Sequence, residues 1–109
     1  MKKILTLLSV FAILSMVALA AAQDGQWTFQ GTDATAPKNL SIHVSGATLS
    51  GTLDGLPLTG SGVTGAFFWF HVVRSGSDFL YKGQVKNGNL VLNEVGPSGT
   101  KTLTYAPAP

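Results

Sequence analysis

The segment GAFFWFHVV, residues 65–73, decides the fold because both of its alternating sets of side chains are apolar. Successive side chains of an extended strand point to opposite faces of the sheet. One face therefore carries Phe67, Trp69, His71 and Val73, and the other carries Ala66, Phe68, Phe70 and Val72. Either set is apolar enough to join a hydrophobic core, so the fold must account for the face that the core does not use.

The chain after residue 22 alternates apolar and polar residues with a period of two, for example over residues 40–45 and 102–105. This alternation is typical of half-buried strands. Turn signals separate the alternating runs, and Asn87-Gly88 is the strongest of them, since Asn-Gly favours a two-residue hairpin. Residues 23–105 are therefore predicted to form a single all-β domain. We expect an antiparallel meander of six to eight strands that forms a small barrel or sandwich.

Two glycines and the C-terminus add detail to this prediction. Gly51 and Gly83 lie in similar frames inside predicted strands, where glycine marks a bend or bulge that suits a sheet curling into a barrel. The alternative is that a glycine-rich β protein produces such frames by chance. The Ala-Pro sequence of residues 106–109 is predicted to form a tail that leaves the sheet, because proline has no N–H to donate.

Residues 1–22 have the features of a helical secretory signal peptide. Lys2 and Lys3 precede an almost uncharged apolar run, and small residues precede a cleavage point after Ala20 or, as we favour, after Ala22. The alternative is a retained membrane anchor, because the run approaches the roughly 20 residues that a spanning helix needs. We expect the mature protein to be secreted or periplasmic, with no membrane contact after cleavage.

Charge and cysteine content narrow the classes of partner. The chain has seven Lys and Arg against five Asp and Glu, but Lys2 and Lys3 leave with the signal peptide. The basic residues that remain are scattered, whereas nucleic-acid binding needs a basic patch or stripe. No nucleic-acid partner is therefore predicted. The chain has no cysteine, so this small domain must close its sheet, pair with a copy of itself or bind a metal.

No residue pattern in the chain predicts catalysis or a cofactor. His43 and His71 each stand alone in a predicted strand, without the close His and Glu spacing of common metal motifs. A G-x-S-x-G nucleophile elbow is absent. The aspartates are interpreted as turn or terminal residues, and Glu94 lies near the end of a predicted strand. We therefore predict a protein that is not an enzyme and that has no metal and no cofactor.

The second apolar face of residues 65–73 has three explanations. A long strand could have both faces in the interior of a small sandwich. Alternatively, the face of Phe67, Trp69, His71 and Val73 could be the interface of a homo-oligomer, because monomers rarely leave large apolar patches open. In the third explanation the same face lines a groove for a small apolar molecule or a sugar, with Trp69 stacking on the ligand and His71 making a polar contact.

Three short motifs carry a resemblance to known proteins: WTFQG at residues 27–31, LSGTLDG at residues 49–55 and YKGQVKNGNL at residues 81–90. With these motifs, most of residues 26–105 resembles small secreted bacterial β-domains of mostly unknown function. The strands of those domains are similar to lipocalin-like or avidin-like meanders. The resemblance implies a β-meander fold, and it implies no catalytic residues.

These observations predict how the protein acts. We expect a secreted, non-catalytic domain that works by binding or self-assembly through Phe67, Trp69, His71 and Val73. The alternative is a carrier of small molecules or carbohydrates with a lipocalin-like groove.

Overall fold

The computed structural model describes residues 22–109, which form one sheet of nine antiparallel strands. The strands are β1 (Gly25–Phe29), β2 (Asn39–Ser45), β3 (Thr48–Leu53), β4 (Leu56–Pro57), β5 (Gly60–Thr64), β6 (Phe67–Arg74), β7 (Ser77–Lys86), β8 (Asn89–Gly96) and β9 (Gly99–Pro107). The predicted all-β antiparallel architecture is confirmed. There are nine strands rather than six to eight because residues 56–64 add the two-residue β4 and the glycine-rich β5.

The predicted signal peptide, residues 1–22, lies outside the described residues apart from Ala22. Over residues 22–109 the structure has no helix that is long and apolar enough to cross a membrane.

The order of the strands makes the sheet curl. It runs β4-β3-β2-β1-β9-β8-β7-β6-β5, so consecutive strands pair with one another except β4 and β5, and β1 also pairs with β9. β4 and β5 follow one another in the chain but lie at opposite edges of this sheet. The short link between them requires the two edges to approach each other. The result is a barrel-like meander with a seam between β3 and β5.

A few hydrogen bonds hold the seam together. The Val63 N–H donates to the Ala47 carbonyl oxygen at 3.0 Å. Next to this bond, the Ser61 hydroxyl accepts from the Leu49 N–H at 2.7 Å and donates to the Leu49 carbonyl oxygen at 2.9 Å. The Ser61 side chain thus takes the place of a backbone partner for Leu49 at the seam.

Gly51 allows β3 to approach β2 closely. Its φ is +135°, a value that side chains disfavour. A Cβ at this position would overlap the carbonyl oxygen of Ser41 on β2. The close approach of the two backbones therefore requires glycine at this position.

The inward faces of the strands fill the barrel with side chains. Residues from β1 to β9 contribute to one core cluster: Trp27, Leu40, Ile42, Leu49, Leu53, Phe68, Phe70, Val72, Tyr81, Leu90, Leu92, Leu103 and Tyr105. The loop of residues 30–38 covers one end of the barrel, where the Tyr105 hydroxyl donates to the Pro37 carbonyl oxygen at 2.7 Å. We call this end the rim. Large apolar side chains therefore occupy the interior of the barrel.

Strand β6 has one buried face and one open face. Phe70 and Val72 are 0% exposed, whereas Phe67 is 62% exposed and Trp69 is 42% exposed. The explanation in which both faces of the strand are interior is therefore wrong. Only one layer of sheet packs against β6, and it lies on the Phe70 side.

The C-terminus differs from the sequence prediction. Residues 106 and 107 do not leave the sheet: β9 continues to Pro107, which lies opposite Trp27 of β1. The Ala108 N–H donates to the Gln26 carbonyl oxygen at 2.9 Å. In such a pair the neighbours of the proline make the bonds to β1, and the proline nitrogen faces past the start of β8. Proline is tolerated here because no strand needs its missing N–H.

Candidate functional site

The outward side chains of β6 form a continuous surface, which we call the aromatic face: Phe67, Trp69, His71 and Val73. The structure brings all four sequence-predicted site residues together on this surface. The Trp69 indole packs against Gly62 of β5, where an added Cβ would overlap the ring. Its ring meets the His71 imidazole edge to face, with centroids 5.8 Å apart and an interplanar angle of 85°. Trp69 is thus held in place while part of its ring stays open to solvent.

Strand β7 extends the aromatic face with residues that the sequence analysis did not assign to it. Leu80 lies opposite His71, Lys82 opposite Trp69, and Asp78 opposite Val73. The two-residue turn at Ser75-Gly76 sets this register. That turn is a hairpin signal in the sequence, and pairing the two strands across it would have identified all three neighbours.

The aromatic face combines apolar area with charge. A depression of about 500 Å³ is lined by Phe67, Trp69 and His71 of this face, together with Leu80 and Lys82. The Asp78 carboxylate lies 2.8 Å from the His71 Nδ1, and both side chains are partly open to solvent. The depression therefore has an apolar floor with the Lys82 ammonium group in its lining, and the Asp78 carboxylate lies beside it, next to His71.

A second polar site lies inside the rim, near the C-terminal ends of β6 and β8 and the N-terminal end of β7. The Glu94 side chain is only 6% exposed. Its Oε2 accepts a hydrogen bond from the Tyr81 hydroxyl at 2.8 Å and another from Arg74 Nη1 at 3.1 Å. Arg74 also donates from Nη2 to the Thr35 carbonyl oxygen at 3.2 Å. Burial, together with the hydrogen bond to Glu94, raises the pKa of Tyr81 well above its ordinary value.

Lys101 of β9 connects this cluster to the loop of residues 30–38. Its Nζ donates to Asp33 Oδ2 at 2.9 Å and to Thr35 Oγ1 at 3.0 Å. Hydrogen bonds from Thr35, and then from Lys101, hold the pKa of Asp33 well below its ordinary value. The hydrogen bond to Asp33 in turn raises the pKa of Lys101. Both groups are therefore charged at neutral pH.

The space between this cluster and the turn that joins β8 to β9 is a cleft of about 470 Å³, which we call the rim cleft. Its lining includes Thr35, Arg74, Glu94, Ser98, Thr100 and Lys101. This site was not predicted from the sequence, because Glu94 was interpreted only as a residue near the end of a strand. Its partners Arg74 and Tyr81 become neighbours only when the strands pair.

The two histidines lie in separate environments. His43 on β2 is 3.3 Å from Asp24, and His71 on β6 is 2.8 Å from Asp78. Within residues 22–109, no group of three or more His, Cys, Asp or Glu residues is arranged to hold a metal ion.

The function of the chain must be inferred from the geometry of the aromatic face and the rim cleft. A scan against protein-family models and a search of curated proteins found no match to this chain.

Proposed function

We propose that the protein is an exported, non-catalytic binding domain that associates with a second copy of itself through the aromatic face. The observation that carries the proposal is the exposure of Phe67 and Trp69, 62% and 42%, on a strand whose opposite face is fully buried. Covering such side chains stabilises an interface by roughly 25 cal/mol for each Å² of apolar area removed from water. Export is supported by the signal-peptide pattern of residues 1–22.

The arrangement of charges favours a second copy as the occupant. Asp78, Leu80 and Lys82 follow one another along the outward side of β7. A twofold axis through Leu80 would place Asp78 of each chain opposite Lys82 of the other. Homodimers mostly use such isologous contacts, in which one patch meets itself. A patch with opposite charges on either side of its centre is complementary to its own copy, because both charge pairs then form together.

A small apolar or sugar ligand on the aromatic face is the second candidate. It is favoured by the partly open Trp69 ring and by the depression of about 500 Å³ beside it. The resemblance to lipocalin-like and avidin-like meanders suggests a carrier, but such a carrier would have to use the outer surface. Tyr81, Tyr105 and Phe70 are each 0% exposed and fill the barrel interior.

Charge reversal tests the second-copy proposal. Lys82→Glu and Asp78→Lys each place like charges opposite one another in the twofold dimer. We expect either variant alone to weaken the dimer by roughly tenfold or more, because two pairs are reversed. An equimolar mixture of the two variants should regain the affinity, since both pairs of the mixed dimer are again of opposite sign. Sedimentation velocity over a dilution series measures both effects.

Lys86→Glu is the matched control, because it makes the same charge change on the same strand at an exposed residue beyond the patch. It should leave the dimer unchanged. If the equimolar mixture of the two variants does not regain the affinity of the wild-type dimer, the twofold register through Leu80 is contradicted. A wild-type chain that stays monomeric at every concentration would exclude self-association. Binding of a ligand by that monomer, with loss on Trp69→Ala, would establish the second candidate.

A further inference from the structure

The rim cleft contains an ammonium group and a carboxylate oxygen that form an ion pair but no hydrogen bond with each other. Glu94 Oε2 is occupied by Tyr81 and Arg74, but Glu94 Oε1 accepts no hydrogen bond within residues 22–109. The closest cation, Lys101 Nζ, lies 3.8 Å from Oε1, which is too far for a hydrogen bond. Lys101 uses two of its N–H groups on Asp33 and Thr35, and the third makes no hydrogen bond within the described part of the chain.

We propose that the rim cleft binds a neutral polyhydroxylated ligand, a sugar or a polyol, through a hydroxyl group that bridges Lys101 and Glu94. A hydroxyl both accepts and donates. It can accept from Nζ at about 2.9 Å and donate to Oε1 at about 2.7 Å. Because Nζ and Oε1 are only 3.8 Å apart, such a hydroxyl oxygen would lie beside the line that joins them, within reach of both atoms.

The charges of the cleft select against ionic ligands. A carboxylate bound beside Lys101 Nζ could accept from it but would be repelled by Glu94 Oε1, to which it has no proton to donate. An ammonium group could donate to Glu94 but would be repelled by Lys101 and by Arg74, which also lines the cleft. Because positive and negative charges are balanced around Lys101 Nζ and Glu94 Oε1, the best match is a neutral group that both donates and accepts hydrogen bonds.

The rest of the cleft offers further partners for hydroxyl groups. Ser98 and Thr100 line it with their own hydroxyls. Arg74 has an Nε–H and one Nη2–H beyond those used on Tyr81, Glu94 and Thr35. The volume of about 470 Å³ lies within the range of small-molecule sites. One bridging hydroxyl therefore orients a ligand whose other hydroxyls can also be satisfied.

Three sugars that share one ring test the charge selectivity. Glucose is neutral, glucosamine carries an ammonium group and glucuronate carries a carboxylate. Each is titrated into the isotopically labelled protein, purified after export of the full chain, and backbone amide shifts are recorded by NMR. We expect glucose to shift the amides of residues 98–101 and Thr35, and to bind more tightly than either charged sugar.

Variants separate this site from the aromatic face. Glu94→Gln should weaken glucose binding about fivefold, the loss of roughly one good hydrogen bond. Ser98→Ala changes an exposed turn residue that the fold does not need, and it should weaken binding by a smaller factor. Trp69→Ala, on the aromatic face, should leave glucose binding unchanged. If the Glu94→Gln variant does not fold, Ser98→Ala provides the test. Weaker glucose binding in that variant supports the site, and unchanged binding contradicts it.

Three results would contradict a sugar site in the rim cleft. Absence of amide shifts at residues 98–101 up to the solubility limit of glucose would overturn the proposal. Shifts confined to β6 would also overturn it, and would instead favour a sugar site on the aromatic face. Tighter binding of glucosamine or glucuronate than of glucose would show that the cleft recognises charge and not a bridging hydroxyl.

Discussion

The two faces of β6 should respond very differently to truncation. Phe70 is 0% exposed, and its ring centroid lies 5.1 Å from that of Tyr81 and 6.2 Å from that of Phe68. Truncation of a buried phenylalanine to alanine costs roughly 3–5 kcal/mol through lost burial and the cavity that remains. A small domain has a total stability of roughly 5–15 kcal/mol. Phe70→Ala should therefore remove a large part of the free energy of unfolding.

Trp69→Ala provides the comparison on the adjacent residue. The Trp69 side chain is 42% exposed, and its packing partners are Gly62 and the edge of His71. Losing the buried part of the side chain and one edge-to-face ring contact should cost roughly 2–3 kcal/mol, which is less than at Phe70 because no internal cavity remains. The larger residue thus makes the smaller contribution, because its contacts lie on the open face.

Urea unfolding followed by circular dichroism measures both values. The protein should be dilute, because association through the aromatic face would add apparent stability to the wild type. Equal losses in the two variants would show that Trp69 belongs to the core of the single chain. A loss for Trp69→Ala above that for Phe70→Ala would refute the assignment of the inner and outer faces.

Three further predictions follow from other parts of the barrel. Tyr81→Phe removes a donor from the buried Glu94 carboxylate, and urea unfolding should show a loss of roughly 1–3 kcal/mol. Gly51→Ala should cost roughly 2–4 kcal/mol in the same assay, because its Cβ would overlap the Ser41 carbonyl oxygen at a positive φ. The native pKa of Asp33 is depressed, so its contribution should be complete above the ordinary value of 3.8 and fall as pH drops below it. In a plot of melting temperature against pH, Asp33→Asn should flatten this acidic part of the profile. If the variant and the wild type give the same profile, the role of Asp33 is contradicted.

The period of two in the sequence was sufficient to predict the architecture. Alternation specifies which side chains share a face, and this property is local. The identity of the core face of β6 could not be predicted in the same way, because Phe68 and Phe70 are no more apolar than Phe67 and Trp69. The choice depends on the direction in which the whole sheet curls, and that direction emerges only when β1 pairs with β9 and the seam forms.

The contacts that form the rim cleft could not be predicted from the sequence either. Arg74 and Glu94 are separated by 20 residues, and Lys101 and Asp33 by 68. Their contacts depend on strand register and on the path of the loop of residues 30–38, neither of which is encoded in a local motif. Register could have been estimated from the Ser75-Gly76 turn, which would have placed Arg74 beside Ser77. The contact between Lys101 and the loop has no comparable local signal.

Fluorescence quenching of the two tryptophans tests the central claim most directly. Trp27 is 6% exposed, and Trp69 is 42% exposed in the single chain. Acrylamide should quench Trp69 efficiently in dilute protein and poorly in concentrated protein, because a second copy then covers the aromatic face. Trp69→Phe, which leaves Trp27 alone, should show low quenching at every concentration. Quenching of Trp69 that stays high and independent of protein concentration would contradict a second copy on this face.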